Sequence, residues 1–170
     1  ERLLNEKFLD TERLLSTRAK ETSDEIKRLA NLFTTQWGKL IEALVEPSCV
    51  TLFQERGIEI EQSMQNVKGK HAGRDMECDI ILVNDNELVV IEVKTTFKPE
   101  YVDSFIERLK EFALFFPQFR NYKIYGATAS LKYEAHSDKY AYRSGLFVLK
   151  STGEGIIHIA NDLNFKPVEY

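Results

Sequence analysis

The sequence predicts an α/β fold: a mixed central sheet flanked by helices and preceded by a long N-terminal helix. Two apolar runs, residues 77–83 and 87–94, flank the triplet Asn84-Asp85-Asn86 and read as an antiparallel hairpin. An amphipathic stripe over 101–116 is followed by a further apolar run at 122–129. A strand, crossover helix and strand of this length makes the two strands parallel. Residues 1–46 hold no proline, and Gly38 is their only glycine; their apolar side chains recur at helical spacing.

In chain order, Leu4, Phe8, Thr11 and Leu15 follow a heptad-like rhythm, and residues 16–25 are almost wholly polar. Ile26, Leu29, Phe33, Trp37, Leu40 and Leu44 resume the stripe. Two readings stand for this helix: a coiled-coil arm that pairs two copies into a homodimer, or an amphipathic helix folded against its own domain. The division expected is an arm over 1–37 and a domain over 38–170. Pro47 should end the helix near Val45, leaving 48–53 as a bridge and 57–67 as a strand. The stretch Lys68-Gly69-Lys70-His71-Ala72-Gly73-Arg74 is the densest in basic residues, and its two glycines predict a loop. Lys68, Lys70 and Arg74 could contact phosphates there, or the loop could be a mobile basic hairpin tip. After the 101–116 helix, which Pro117 ends, come the strand over 122–129, a helix over 134–143, and strands at 146–150 and 155–160. Arg108 and Lys110 lie off the apolar stripe and read as surface charges.

Composition sets bounds on function. A chain of 170 residues with 43% hydrophobic and 11% aromatic content has enough apolar surface for one core and too much for disorder. Neither a signal peptide nor an apolar run of membrane length occurs, so a cytoplasmic protein without a membrane partner is expected. The chain opens in mid-helix pattern, which suggests a piece of something longer. Cys49 and Cys78 show no metal spacing and read as buried apolar side chains. His71, His136 and His158 show no ligand spacing either. A net charge of −4 argues against a generic electrostatic binder of nucleic acid.

The hairpin carries the chemistry. With its turn centred on Asp85-Asn86, Asp79 falls opposite Glu92, and Lys94 shares the face of Glu92. Opposed carboxylates destabilise a sheet unless something neutralises them. Hard oxygen ligands of this kind suit Mg²⁺ or Mn²⁺. The pattern Asp79, twelve intervening residues and then Glu92-x-Lys94 resembles the PD-(D/E)xK nuclease superfamily, although Cys78 stands where the family has its proline. The resemblance covers roughly residues 38–160 and implies a restriction-endonuclease-like core. It further implies a metal-dependent nuclease acting on DNA, with Asp79 and Glu92 as metal ligands and Lys94 orienting the attacking water. The Val93 carbonyl would join the ligands. So would Glu42, on the first core helix, with Glu46 as its substitute. Glu77 could be an accessory ligand or an outward salt-bridge partner. Losing Asp79 should abolish cleavage and leave the fold intact or slightly more stable. The rival expectation is a catalytically inactive nuclease fold, used as a DNA-binding or protein-interaction module and dimerised through the N-terminal helix.

Overall fold

The structure, a computed structural model, describes the backbone of residues 2–152 and 157–170 and, within those, the side chains other than 2–6 and 33–44. The chain divides into two compact units, 1–37 and 38–170. Helix α1 runs Arg2–Gln54. Within the first unit, residues 7–32 are exposed throughout, Phe8, Leu15, Ile26 and Leu29 among them. Leu4, Phe33, Trp37, Leu40 and Leu44 of the predicted stripe lie outside the described side chains. No helix among the described residues is long and apolar enough to cross a membrane.

The second unit is α/β, with a mixed six-stranded sheet in the order β1 to β6. The strands are β1 Gln62–His71, β2 Arg74–Val83, β3 Glu87–Phe97, β4 Lys123–Tyr133, β5 Phe147–Ser151 and β6 Ile157–Ile159. β1, β2 and β3 form an antiparallel meander. Helix α2 (Pro99–Phe115) then carries the chain to β4, which lies parallel to β3. Helix α3 (Ser137–Arg143) makes the second crossover, to the parallel strand β5, and β6 returns antiparallel.

Both faces of the sheet are buried, which explains the near-continuous apolar runs of β2 and β3. On one face Cys78, Ile81, Leu88 and Val90 pack with Phe105, Leu109 and Phe112 of α2. On the other, Ile80, Leu82, Val89 and Ile91 pack with Val45, Cys49 and Phe53 of α1. This second contact corrects the expectation that Pro47 ends the helix and that 48–53 bridges. Val45, Cys49 and Phe53 recur at i, i+4 and i+8, and all three are buried. Burying one large apolar side chain is worth about 1.5–3 kcal/mol, so the stripe outweighs the roughly 3 kcal/mol that an interior proline costs. Pro47 itself faces outward, exposed.

The first strand also lies later than expected. Ile58 and Ile60 are buried as irregular chain, and pairing begins at Gln62. The basic stretch is therefore strand, turn and strand rather than loop. Ala72 (φ 48°) and Gly73 (φ 77°) supply the two positive φ angles that a two-residue type I′ hairpin needs. Lys68, Lys70 and Arg74 consequently stand in ladder positions.

Candidate metal and phosphate site

The site is built where the β2–β3 ladder opens. Asn84 shapes the turn: its side-chain oxygen accepts from the amides of Asn86 (3.0 Å) and Glu87 (2.7 Å). The register then runs from Val83 opposite Leu88 to Ile80 opposite Ile91. Asp79 and Glu92 hold the next positions in that register. There the carboxylate of Asp79 accepts from the backbone N–H of Val93, at 2.7 Å, so a side chain takes up a donor beyond the paired segment.

A kink in β2 accompanies this. Cys78 and Ile81 face the same core, although strict alternation would put residues three apart on opposite faces. The change of face falls at Asp79 and Ile80. Across the β1–β2 ladder the backbone of Asn66 takes φ 51°, and the pairing passes over Asn66 and Asp79.

Glu92 is 6% exposed, on the α2 face of β3. A buried carboxylate needs compensation, and two cations provide it. The Lys94 ammonium lies 2.9 Å from one carboxylate oxygen, and the Arg108 guanidinium pairs with the other. Lys94 also sits over the ring of Tyr101, 5.2 Å from its centroid. Arg108 sits over Phe105 and donates to the Glu77 carbonyl, 3.0 Å away. Arg108 is thus not a free surface charge, as its place beside the apolar stripe suggested. The signal for it was indirect: a buried Glu92 demands a counter-ion, and α2 is the element packed over it.

Cys78 lies among these groups. Burial pushes its thiol up to about 12; Arg108 opposes the shift, while Glu92, Asp79 and Glu77 add to it. Burial likewise raises Cys49 to about 12, with Glu46 adding to it. Both side chains are free buried thiols.

The remaining predicted residues sit elsewhere. Glu46 accepts hydrogen bonds from Ser63 and Gln65 of β1. Glu77 pairs outward with Lys68 at 3.5 Å. Lys70 pairs with Asp75 at 3.6 Å, and Arg74 with Glu111 at 3.0 Å. The three basic residues of the hairpin are therefore partnered by acids. Glu42 lies outside the described side chains.

The donor set fits a hard divalent cation that keeps much of its water. Asp79 and Glu92 offer carboxylates, and Val93 a carbonyl, from neighbouring strand positions. Among the described residues no group of three His, Cys, Asp or Glu could hold an ion. Mg²⁺ does not require one, because it often takes one or two carboxylates and completes its shell with water and phosphate. Such an ion would compete with Arg108 for Glu92. Arg108→Gln should therefore lower the melting temperature of the metal-free protein. It should also tighten Mn²⁺ binding about tenfold, as expected when a competing charge a few ångströms away is removed. Thermal unfolding with and without Mn²⁺ checks this; an Mn²⁺-induced rise no larger than the parent's would show that Arg108 does not compete.

No family model matches the chain, and no curated protein matches it. A solved structure, that of a protein of unknown function, AF1548, is similar at 18% identity and a TM-score of 0.43, over 60% of this chain and 54% of that one. The match spans about half the length of that protein, and a likeness this weak carries no argument about function.

Proposed function

We propose that this chain is a metal-dependent nuclease with a restriction-endonuclease-like core, hydrolysing phosphodiester bonds, first of all in DNA. One observation carries the reading. Asp79 is tied to the amide of Val93, and that residue stands between the buried acid Glu92 and the amine of Lys94. Through that amide Asp79 reaches the backbone between the acid and the amine of the PD-(D/E)xK order.

Asp79, Glu92 and the Val93 carbonyl would hold Mg²⁺ or Mn²⁺, which when bound polarises a phosphate and lowers the pKa of a bound water. The chain's own groups do the rest. The Val93 N–H fixes the orientation of the Asp79 carboxylate before any ligand arrives, and such preorganisation avoids reordering during reaction. Lys94, held between Glu92 and the Tyr101 ring, can orient a water and stabilise negative charge developing on phosphate oxygens. Arg108, when it leaves Glu92, is a second cation for the same phosphate. The exposed apolar side chains of α1, Phe8, Leu15 and Leu29 among them, suit a pairing arm between two copies.

A second reading has an observation of its own. Lys94 and Arg108 already neutralise Glu92, so the cluster could serve as a closed ion-pair network in an inactive binding module. Incubating supercoiled plasmid, single-stranded DNA and RNA with the protein in Mg²⁺, Mn²⁺ or EDTA separates the two. The nuclease reading expects DNA cleavage in either metal and none in EDTA. Intact substrates under every condition would favour the binding module.

A further inference from the structure

With Lys68, Lys70 and Arg74 partnered by acids, cationic side chains remain on α3. Lys139 and Arg143 stand one helical turn apart, both exposed, and neither has an acidic partner among the described residues. They line a cleft of about 300 Å³ together with Lys150 and Asp138. Lys150 pairs with Asp138. Burial opposes ionisation of that carboxyl, but the Lys150 hydrogen bond and backbone amides hold it below the usual carboxylate range. The cleft therefore sets three cations against one acid.

This cleft is joined to the candidate site by the register of the sheet. Lys94 of β3 is opposite Ser130 of β4, and Ser130 is opposite Lys150 of β5. All three lie in one row, near the carboxyl ends of the parallel strands. Glu92, two residues before Lys94, faces α2, and Val148, two before Lys150, belongs to the same core as α2 and α3. Alternation puts Lys94 and Lys150 on that face as well. Adjacent strands are about 4.8 Å apart, so the Cα atoms of Lys94 and Lys150, with β4 between them, stand about 10 Å apart.

An aromatic bed connects them. Lys94 lies over Tyr101, whose ring meets Phe97 edge-on; Phe97 stacks on Tyr133, and Lys150 lies 5.7 Å from the Tyr133 ring centroid. The Tyr133 hydroxyl lies 3.0 Å from the carbonyls of both Thr128 and Leu149, with its one proton to donate to either, which holds that ring between β4 and β5.

We infer that Lys150, Lys139 and Arg143 form a phosphate track for the nucleic-acid strand whose scissile phosphate lies at Asp79, Glu92 and Lys94. The inference rests on the nuclease reading of that site and adds where the substrate backbone runs: from Lys94 across β4 and into the α3 cleft. Contacts of this kind fix position and carry no base information.

The test is fluorescence anisotropy of labelled single-stranded and duplex DNA in EDTA, over a salt series, with the full chain. Lys139→Glu/Arg143→Glu is compared with Arg120→Glu/Lys166→Glu, an equal change of net charge at exposed residues outside the row. Loss of two phosphate contacts should flatten the log–log salt slope by about 1.8 on duplex and about 1.4 on single strands, with binding weakened on the order of tenfold. The control pair should keep the parent's slope. A parent-like slope in the α3 variant overturns the track, as does an equal loss in the control or a parent that binds no DNA. The two readings fail separately. Metal-dependent cleavage without any α3 effect removes the track alone, whereas α3-dependent binding without cleavage supports the track and removes the nuclease.

Discussion

Glu92→Gln is expected to destabilise the metal-free protein by about 2–3 kcal/mol. Removing one partner of a buried ion pair typically costs about 3–5 kcal/mol, because the other charge is left without compensation. Here Lys94 and Arg108 would both lose their partner. Each side chain is 35% exposed, however, and can turn partly to water, which lowers the expected figure. Urea unfolding reads the effect as a shift of midpoint at unchanged slope. Adding Arg108→Gln to Glu92→Gln should recover part of the loss, with a coupling of about 1 kcal/mol or more, as contacting residues show. A Glu92→Gln variant within about 0.5 kcal/mol of the parent, the range of ordinary surface changes, would mean that the cluster is not a buried network.

The second large effect concerns cleavage. Asp79→Asn keeps an acceptor for the Val93 N–H and removes the charge. It should hold the fold and reduce cleavage by roughly 10³-fold, the equivalent of about 4 kcal/mol of lost transition-state stabilisation. Lys94→Met should lose roughly 10²–10³-fold, in the range of removing one preorganised donor. Asp79→Ala is a poorer probe, and the structure changes the expected sign of its effect on stability. Deleting the carboxylate leaves the Val93 amide without its 2.7 Å partner. That costs about 1–3 kcal/mol, where the sequence alone suggested neutrality or a gain. Single-turnover rates on plasmid, alongside circular dichroism of each variant, check both parts. Parent-like cleavage by a folded Asp79→Asn variant would remove Asp79 from the reaction.

Much of the hairpin was legible because local chemistry and register agree there. An Asn/Asp turn between two apolar runs leaves little freedom, and the ladder ends one step short of the Asp79–Glu92 pairing that the turn implied. The bond from Val93 to Asp79 was not legible. It accompanies a kink between β1 and β2, where Asn66 adopts a positive φ; asparagine tolerates that conformation better than most residues, but most asparagines do not adopt it. Pro47 misled for a related reason. A proline signal is local, whereas the stripe that carries α1 past it gains its energy from the sheet. The charge pairs of the β1–β2 hairpin follow from the Ala72-Gly73 turn once it is known to hold only two residues. Reading both glycines as loop hid them. Arg108 was concealed by its position at the margin of the α2 stripe, a place usually occupied by surface charge.

Calorimetric titration of the parent and of Asp79→Asn with Mn²⁺ tests the central claim most directly. Saturable binding by the parent, matched by a rise in melting temperature through linkage to the native state and lost in Asp79→Asn, is the predicted result. No binding heat and no rise in the parent, or equal binding by Asp79→Asn, would contradict it.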